Sequence, residues 1–424
     1  MDKKIRRRVR KVSEGPEEPL RLNPSKTVHE LIQALAYATD VVEDVMVFHG
    51  WRVAVFGDWI ASRTAPEIRQ QTFNACILHD IGAVGLPNHI LHHLTQRDPV
   101  SRREIIAHPF KGATLISSIP GLFQAAKLVI DHHERYDGSG YPRHKIGKQI
   151  PPGAQIIGIA DELDTALHDR RVQSGKDVMP FLAGPLKGRF APDIIEAARS
   201  AWRGEPLPGE IPLRQWLDTF YNAALGEVGQ LTIGTQSDAL NTTLEVFADI
   251  IDAKHPSTSG HSRRVGRYSV MVGLAMDLTA EDVTSLKWAA LLHDIGKLSI
   301  PSRVLDKPTL LTEKEYTSMK RHVEYTKAIL DRISGFKEIS RVASSHHERW
   351  DGRGYPQGLS GEDIPRLSRI IAVADTYDAM TSGRAYRAGL SSGDACSELQ
   401  RYAGVDFDPE VICAAVPILY HLAD

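Results

Sequence analysis

The stretch HHERYDGSGYP, residues 132–142, recurs as HHERWDGRGYP, residues 346–356, with nine of eleven positions identical. The likeness extends upstream, because LHDIGAVGLP from Leu78 aligns with LHDIGKLSIP from Leu292 at the same offset of 214 residues. It extends downstream as well, into FAPDIIEAA and FDPEVICAA. A unit of about 200 residues is a whole domain, because the repeats of solenoid proteins are about 20–50 residues long. The sequence therefore predicts two similar domains in tandem, related by internal duplication.

The predicted organisation has a tail and two domains. The first 25 residues are basic, then acidic, and lack the apolar stretch of a signal peptide, so they are expected to form a disordered tail at 1–25. A Pro- and Gly-rich break, RGEPLPGEIPL, lies between the repeated segments. We therefore expect an N-terminal domain at 26–230 and a C-terminal domain at 231–424.

Composition excludes several classes of protein. The 424-residue chain is 42% hydrophobic and 25% charged, with a formal net charge of -2, so its global charge favours neither a DNA or RNA polymer nor an anionic membrane surface. Its three cysteines have no paired spacing, which argues against a disulfide framework or a thiolate zinc site and indicates a cytoplasmic setting. The apolar run VICAAVPILY is about half the ~20 residues that a spanning helix needs, so no membrane insertion is expected.

The repeated segments carry a helical pattern. LIQALAYATDVVEDVMVF and ALNTTLEVFADIIDA have apolar residues at i, i+3 and i+4, which predicts a helix leading toward the first histidine of each domain. Capping boxes at Ser101–Glu104 and Thr312–Glu315 are expected to open the helices that carry His108 and His322. Gly and Pro mark YDGSGYP and WDGRGYP as loops. Because strand-like alternation is scarce, we predict an all-α fold.

Matched histidines and aspartates carry the chemistry. A lone histidine on an apolar face is more often a hydrogen-bonded core residue than a ligand, but here five separate segments of each domain supply five histidines and two aspartates. Imidazole and carboxylate ligands suit divalent Fe, Mn or Zn. Neighbouring residues on a helix point about 100° apart, so the HD and HH pairs fit a centre larger than one ion. Two metals about 3.5–4 Å apart can activate a water and clamp a phosphoryl group, which predicts phosphoester hydrolysis.

The combination of HDIGK at 293–297 with HHERWDGRGYP resembles the HD-GYP family, all-helical bacterial phosphodiesterases that hydrolyse cyclic dinucleotides. The resemblance covers nearly all of both halves. It implies that Asp294 bridges two metals, and that Lys297 orients water or a substrate phosphate beside this catalytic aspartate. Gly354, Tyr355 and Pro356 would shape the substrate loop. The implied metal ligands are His261, His293, Asp294, His322, His346, His347 and Asp375, and in the N-terminal domain His49, His79, Asp80, His108, His132, His133 and Asp161.

The resemblance also bears on the number of metals and on the phosphate-binding residues. Some relatives place a carboxylate four residues before the first histidine, where it helps to hold a third metal, but Val45 and Ser257 stand there in this chain. We therefore expect two divalent ions per intact site, with Fe or Mn favoured and Zn, Ni and Mg left open. In TYDAMTSGRAYR, Arg384 and Arg387 match basic residues that approach the substrate phosphates, with surface ion pairs as the alternative reading.

The N-terminal domain departs from the family pattern. Ala83 stands where the C-terminal domain has Lys297, and Gln173 stands at the position of Arg387. The ligand set is kept, but part of what would grip and cleave a phosphodiester is lost. We predict that this domain is weakly active or inactive, with a structural packing role favoured over a nucleotide-sensing one.

The predicted function is a metal-dependent phosphodiesterase that converts a cyclic dinucleotide to a linear dinucleotide or mononucleotides, with catalysis in the C-terminal domain. Cyclic di-GMP is the favoured substrate and cyclic GMP-AMP the other. A non-catalytic cyclic-dinucleotide sensor or adaptor is the main alternative. Hydrolysis of another phosphoester is a third, against which the GYP loops argue. A homodimer or a signalling-protein partner is left open.

Overall fold

The computed structural model describes residues 22–40, 48–86, 99–229, 231, 238–255, 259–382 and 389–422. Within these ranges the chain is helical, with three isolated β-bridges and no β-strand. The predicted all-α class is therefore confirmed. Several sequence predictions concern residues outside the described ranges: residues 1–21 of the predicted tail, Val45, Ser257, Arg384 and Arg387.

The chain divides into two compact units. The N-terminal unit is Leu31–Thr235, and the C-terminal unit is Met1–Glu30 together with Gln236–Asp424. The predicted domain limits of 26–230 and 231–424, and the internal duplication, stay predictions.

Through residue 229, the described chain forms the α-helices α1 Pro24–Asp40, α2 His49–Thr64, α3 Arg69–Leu78, α4 Pro99–Ser117, α5 Phe123–Val129, α6 Pro152–His168, α7 Gly175–Ala183, α8 Pro192–Ala201, α9 Leu213–Trp216 and α10 Asn222–Val228. A short π-helical segment, Leu217–Tyr221, joins α9 to α10.

Helix α2 lies at the centre of the N-terminal unit, where it packs against α3, α6 and α8. Its residues His49, Val53, Phe56 and Ile60 are all buried. They follow the i, i+4, i+7, i+11 spacing that places side chains on one face of a helix. The face that buries the apolar side chains therefore also carries His49 into the interior.

From residue 238 onward, the described chain forms the α-helices α11 Ala239–Ala253, α12 His261–Ala275, α13 Ala280–Leu292, α14 Ser302–Leu305, α15 Glu313–Lys320, α16 His322–Leu330, α17 Lys337–Ala343, α18 Arg366–Thr381, α19 Ser392–Arg401 and α20 Pro409–Leu419. Helix α12 is central in the C-terminal unit and packs against α13, α18 and α20. Its buried residues His261, Val265, Tyr268 and Val272 have the same spacing as those of α2.

The HDIG segments form tight turns that bring different helices together. After α13 the chain continues as a 3₁₀ helix, Ile295–Ser299, which packs against α16. A Cβ atom added to Gly296 would lie 1.9 Å from the carbonyl oxygen of His322, and one added to Gly82 would lie 2.0 Å from that of His108. Only glycine allows this approach, which puts the aspartate of each HD pair next to the following histidine helix.

The helix predicted before His49 is present, whereas the predicted start of the helix that carries His108 is wrong. The helix leading toward His49 is α1, Pro24–Asp40, and residues 41–47 lie outside the described ranges. Phe48 adopts a left-handed conformation with φ 68° just before α2 begins. A residue in that conformation cannot continue a right-handed helix. The helix that carries His108 begins at Pro99 rather than at Ser101.

The corresponding segments of the C-terminal unit follow the sequence more closely. Helix α11 coincides with ALNTTLEVFADIIDA, and Thr312 and Glu315 form the predicted capping box. The helix that this box opens ends at Lys320, however, and Arg321 separates it from α16, which carries His322. The prediction of one helix from the box to His322 is therefore wrong, because the ψ angle of -12° at Arg321 departs from the helical value.

Among the described residues, no helix is both long and apolar enough to span a membrane.

Candidate metal centres

All seven candidate ligands of the N-terminal unit lie together, and we call them the N-terminal cluster. They form two groups, and within each group the ligand atoms lie within 4.8 Å of one another. The groups are His49, His79 and Asp161, and Asp80, His108, His132 and His133.

Asp80 faces both groups of the N-terminal cluster. Its Oδ2 lies 3.4 Å from Nε2 of His79 and 3.8 Å from Nε2 of His49. Its Oδ1 lies 3.4 Å from Nε2 of His108 and 3.8 Å from Nε2 of His132. One carboxylate thus offers a separate oxygen to each side, as a ligand shared by two ions would.

The C-terminal cluster has the same form. Its ligand groups are His261, His293 and Asp375, then His322, His346 and His347, and, joining the two sides, His293, Asp294 and His346. All seven candidate ligands predicted for this unit are therefore brought together.

Asp294 has the position in the C-terminal cluster that Asp80 has in the N-terminal one. Its Oδ2 lies 3.3 Å from Nε2 of His293 and 3.8 Å from Nε2 of His261. Its Oδ1 lies 3.5 Å from Nε2 of His322 and 4.0 Å from Nε2 of His346. The ammonium of Lys297 contacts Asp294 Oδ2, so a cation stands at the edge of this cluster, where the N-terminal unit has Ala83.

Buried polar atoms without partners indicate what the clusters can hold. An unpaired buried polar group costs about 1–3 kcal/mol, and a divalent cation would satisfy these atoms. Both clusters therefore fit metal ions. Among the described residues, the buried cluster atoms without a hydrogen-bond partner are Asp80 Oδ1, His133 Nε2, His293 Nε2, Asp294 Oδ1, His322 Nε2 and His346 Nε2.

Six histidines are oriented by the backbone of their own helices or turns. In each, Nδ1 donates to the carbonyl oxygen three residues earlier, and since a carbonyl only accepts, Nδ1 carries the hydrogen. The Nε2 lone pair is then free for a cation. These bonds are His79 to Cys76 (2.8 Å), His108 to Ile105 (2.6 Å), His132 to Val129 (2.6 Å), His293 to Ala290 (2.8 Å), His322 to Met319 (2.8 Å) and His346 to Ala343 (2.7 Å).

The first histidine of each cluster is oriented by an aspartate instead. His261 opens α12, and its Nδ1 donates to Asp378 Oδ2 at 2.8 Å. Arg264 holds the same carboxylate, its Nε lying 2.6 Å from Oδ1. The N-terminal cluster repeats this arrangement, with His49 Nδ1 2.7 Å from Asp164.

The sequence analysis missed Asp164 and Asp378. A signal was present, because each follows a candidate ligand aspartate by three residues, and the two match at the offset of 214. The bond to His261 fixes which ring nitrogen faces the cluster, so these aspartates position ligands rather than act as ligands.

The protonation of the histidines differs across the C-terminal cluster. Burial alone lowers the pKa of His261, but hydrogen bonds to Asp375 and Asp378 outweigh it and raise this pKa to about 10. Burial lowers the pKa of His322 to about 3 and that of His347 to about 4. His322 and His347 are therefore neutral at pH 7, which is the form in which imidazole binds a metal.

The GYP loop lies beside the last histidine of the C-terminal cluster. The ring of Tyr355 packs on that of His347, with centroids 4.9 Å apart. A Cβ atom added to Gly354 would lie 2.3 Å from the backbone nitrogen of Arg349, so only glycine fits this close turn. Pro356 is exposed. The three predicted substrate-loop residues thus lie at the cluster, while their contact with a substrate stays a prediction.

A buried glutamate that the sequence analysis also missed supports this loop. Glu348 is buried, and its carboxylate accepts hydrogen bonds from the backbone N–H groups of Gln357 at 2.7 Å and Leu359 at 3.0 Å. Glu134 makes the equivalent bonds in the N-terminal unit. The available signal was that a glutamate follows the two histidines in both HHER stretches.

Comparison with known families agrees with this geometry. The family model described as "HD domain" matches residues 58–178 and 245–411. The chain therefore belongs to the HD-domain family. The first matched segment begins after His49, and the second includes all seven residues of the C-terminal cluster.

Several curated proteins are similar to this chain. The 3'3'-cGAMP-specific phosphodiesterase 3 of Vibrio cholerae is 31% identical over 291 residues, which are 69% of this chain and 62% of that protein. The cyclic di-GMP phosphodiesterase of Thermotoga maritima is 37% identical over 44% of this chain and 51% of its own length. The cyclic di-GMP phosphodiesterase response regulator RpfG of Xanthomonas campestris is 39% identical over 60% of this chain and 71% of that protein. The chain thus spans between half and two thirds of the first two of these relatives.

A solved structure has a similar fold. The crystal structure of a cyclic GMP-AMP specific phosphodiesterase of V. cholerae, V-cGAP3, aligns with a TM-score of 0.61 at 24% identity, covering 93% of this chain and 98% of that one. At this identity the likeness concerns the fold alone. It agrees with the predicted HD-type helical architecture.

Proposed function

We propose that the chain is a metal-dependent phosphodiesterase of the HD-GYP type, with two such domains in tandem and catalysis at the C-terminal cluster. The substrate class is a cyclic dinucleotide, with cyclic di-GMP favoured and cyclic GMP-AMP as the other candidate. The products are the linear dinucleotide or mononucleotides. Three free cysteines support a reducing, cytoplasmic setting.

One observation carries the proposal. Asp294 directs one carboxylate oxygen toward His261 and His293 and the other toward His322 and His346. This is the arrangement expected of a carboxylate shared by two cations. The names of the similar phosphodiesterases point to the same chemistry.

The C-terminal cluster supplies the groups that such a reaction needs. Two divalent ions, with Fe or Mn favoured, would supply a deprotonated water and would neutralise charge on the phosphoryl oxygens. Lys297 holds an ammonium beside Asp294 Oδ2, from which it can donate a hydrogen bond to a phosphate oxygen or to the attacking water. The Asp378 carboxylate accepts a hydrogen bond from Nδ1 of His261, which leaves Nε2 facing the cluster, where a bound cation would replace the second ring hydrogen. Arg384 and Arg387 remain proposed phosphate ligands.

A second candidate function rests on the N-terminal cluster. It keeps all seven candidate ligands, but Ala83 supplies no cation at the position of Lys297. A non-catalytic sensor or adaptor that binds a cyclic dinucleotide is therefore the alternative for the whole chain.

The test is anaerobic turnover of cyclic di-GMP and cyclic GMP-AMP with Mn or Fe(II), measured with metal content per chain. Wild-type protein should release linear product. Lys297→Ala should lower the turnover rate by about 100-fold, which is the usual effect of removing a group that assists proton transfer or stabilises charge in the transition state. The variant should keep its metal content.

Lys327→Ala is the matched control. Lys327 lies in the same unit, is half exposed and pairs with Asp331, so its loss should leave turnover unchanged. If the wild-type protein binds metal and nucleotide but cleaves neither nucleotide, the result contradicts the proposed phosphodiesterase function and favours the non-catalytic sensor.

A further inference from the structure

A cavity lies beside the N-terminal cluster. It is a cleft of about 490 Å³, within the size range of small-molecule sites, and it is lined by side chains from the GYP loop, α6 and the turn before α8. His133 and Asp161 of the cluster border it, as do Arg135, Tyr141 and Arg189.

Two buried hydrogen-bond donors, on residues that line this cleft, have no partner among the described residues. They are Nη1 of Arg135 and the hydroxyl of Tyr141, both buried. The Arg135 side chain is only 11% exposed, and its guanidinium lies over the ring of Phe190 at 5.0 Å from the centroid. Buried donors without partners are rare and costly, so a ligand that accepts hydrogen bonds is the natural complement.

The charged side chains that line the cleft are those of Arg135, Arg171, Arg189, Asp161, Glu162 and Asp169. Nη2 of Arg135 lies 2.6 Å from Glu162 Oε1, and Arg189 contacts the same oxygen. Two guanidinium groups thus share one carboxylate. The neighbouring Arg171 is balanced by Asp169 at 2.7 Å.

Among the described residues of the C-terminal unit, the position that matches Arg189 has the opposite charge. The backbone N–H of Tyr136 donates to the carbonyl of Arg189, and that of Trp350 donates to the carbonyl of Asp406, so Arg189 and Asp406 occupy the same position. Arg349, which matches Arg135, contacts the carboxylates of both Asp351 and Asp406.

One arginine is therefore held by two carboxylates in the C-terminal unit, whereas two arginines share one carboxylate in the N-terminal unit. Arg189 and Glu162 are the residues that make the difference, since Thr376 stands in the place of Glu162. Among the described residues, two arginines that share one carboxylate at this position are found in the N-terminal unit and not in the C-terminal unit.

We propose that the N-terminal cleft binds a phosphodiester group of a nucleotide, held by Arg135, Arg189 and Tyr141, without cleaving it. A guanidinium fork matches phosphate oxygens, and Arg135 and Arg189 share a single carboxylate oxygen, Oε1 of Glu162. Ala83 leaves no ammonium at the cluster, which separates binding from turnover. The identity of the nucleotide as a cyclic dinucleotide rests on the proposed function.

The test is calorimetric binding of a cyclic di-GMP analogue with sulfur in both phosphodiesters, which resists hydrolysis, to the full-length protein. The variant Arg189→Asp introduces the residue type that the C-terminal unit has at the matching position, Asp406. Because the Arg189 side chain is about one third exposed, we expect the fold to tolerate this change. We expect binding at this site to weaken by about 10–100-fold, the effect of losing a charge-assisted hydrogen bond. Arg135→Gln should give the same result.

The matched control is Arg199→Asp, which makes the same charge change on α8, at a side chain paired with Glu196 outside the cleft. Unchanged binding in the control and weakened binding in Arg189→Asp support the proposal, provided that circular dichroism and the melting temperature match the wild type. Equal binding by wild type, Arg189→Asp and Arg135→Gln overturns it.

A separate turnover assay on unmodified cyclic di-GMP and cyclic GMP-AMP distinguishes this proposal from the proposed function. If wild-type protein cleaves neither nucleotide but Arg189→Asp still weakens binding of the analogue by about 10–100-fold, the cleft proposal stands and the proposed phosphodiesterase function fails. If cleavage occurs and the analogue binds without dependence on Arg189 or Arg135, the cleft proposal fails alone.

Discussion

At the scale of single residues, hydrogen bonds within the protein orient eight of the ten imidazoles of the two clusters. Six histidines donate Nδ1–H to a carbonyl three residues earlier, which needs nothing beyond the local backbone. His49 and His261 open their helices and depend on a distant aspartate instead. The cost of losing that partner should therefore appear in metal affinity.

Asp378→Asn should lower the affinity of the C-terminal cluster for Mn by about 10–100-fold, the usual effect of removing a hydrogen-bond partner of a metal-binding histidine. The amide of asparagine cannot accept from His261 with the same strength while it is held by Arg264. Competition with a fluorescent chelator measures the affinity.

Asp249→Asn is the control, because Asp249 is a half-exposed carboxylate of the same unit that pairs with Arg263. Equal affinities in Asp378→Asn, Asp249→Asn and wild type would mean that Asp378 does not position His261.

Much of the candidate site could be read from single residues, and the exceptions have a physical reason. The 14 candidate ligands could be predicted because histidines and aspartates recur at matched positions in the two halves of the sequence, and the structure gathers them into two clusters of seven. Asp378 and Glu348 escaped notice because their partners are a side chain 117 residues away and backbone amides, which residue identity alone does not reveal. Arg384 and Arg387 lie outside the described residues and stay predictions.

At the scale of elements, the 3₁₀ turn at Ile295–Ser299 and α16 form one packed pair. The N–H of Gly296 donates to Thr326 Oγ1 at 3.0 Å, and that hydroxyl donates to the carbonyl of His293 at 3.1 Å. The turn that presents Asp294 and the helix that presents His322 are thus joined by a buried bridge through Thr326, so a change in either element moves ligands on both.

Gly296→Ala should therefore destabilise the protein and loosen the cluster. The added methyl would meet the His322 carbonyl oxygen at 1.9 Å, and relief of that overlap should cost about 1–3 kcal/mol or more in the free energy of unfolding. Urea denaturation measures this cost, and metal content per chain should fall with it.

Gly226→Ala is the matched control, since Gly226 lies in α10 with no atom within 4 Å of the added Cβ. It should stabilise by about 0.5–1 kcal/mol, because alanine has less backbone freedom to lose than glycine. A Gly296→Ala protein as stable as wild type would show that the turn can move away from α16.

Element boundaries were less predictable than element type. Helical periodicity gave the correct type for α1 and α11, because the apolar stripe extends over several turns. Arg321 interrupts the helix before His322 although the sequence has no Gly or Pro there. That break separates the segment opened by Thr312 from the one packed under Gly296, and a sequence pattern alone does not specify such tertiary packing.

At the scale of the whole molecule, the buried unpaired atoms of both clusters imply that stability depends on bound metal. Chelation should lower the melting temperature, and Mn should restore it, because a ligand of the folded state stabilises by about 2.7 kcal/mol per site at 100 times its Kd. Scanning calorimetry with and without Mn measures the shift. In the double variant Asp80→Ala, Asp294→Ala, Mn should have little effect, and a full response there would place the stabilising ion elsewhere.

The two clusters are nearly alike as ligand sets but differ in the charges beside them, so equal loss of metal should give unequal loss of turnover. Asp294→Ala removes the carboxylate that faces both sides of the C-terminal cluster and contacts Lys297, and should abolish cleavage of the cyclic dinucleotide. Asp80→Ala removes the equivalent carboxylate where Ala83 stands, and should lower turnover by no more than a few-fold while it lowers metal content similarly. Turnover and metal per chain are measured on the same preparations. Equal loss of turnover would mean that both clusters cleave the substrate, or that the N-terminal cluster is needed for cleavage by the other, and catalysis could not then be assigned to the C-terminal unit alone.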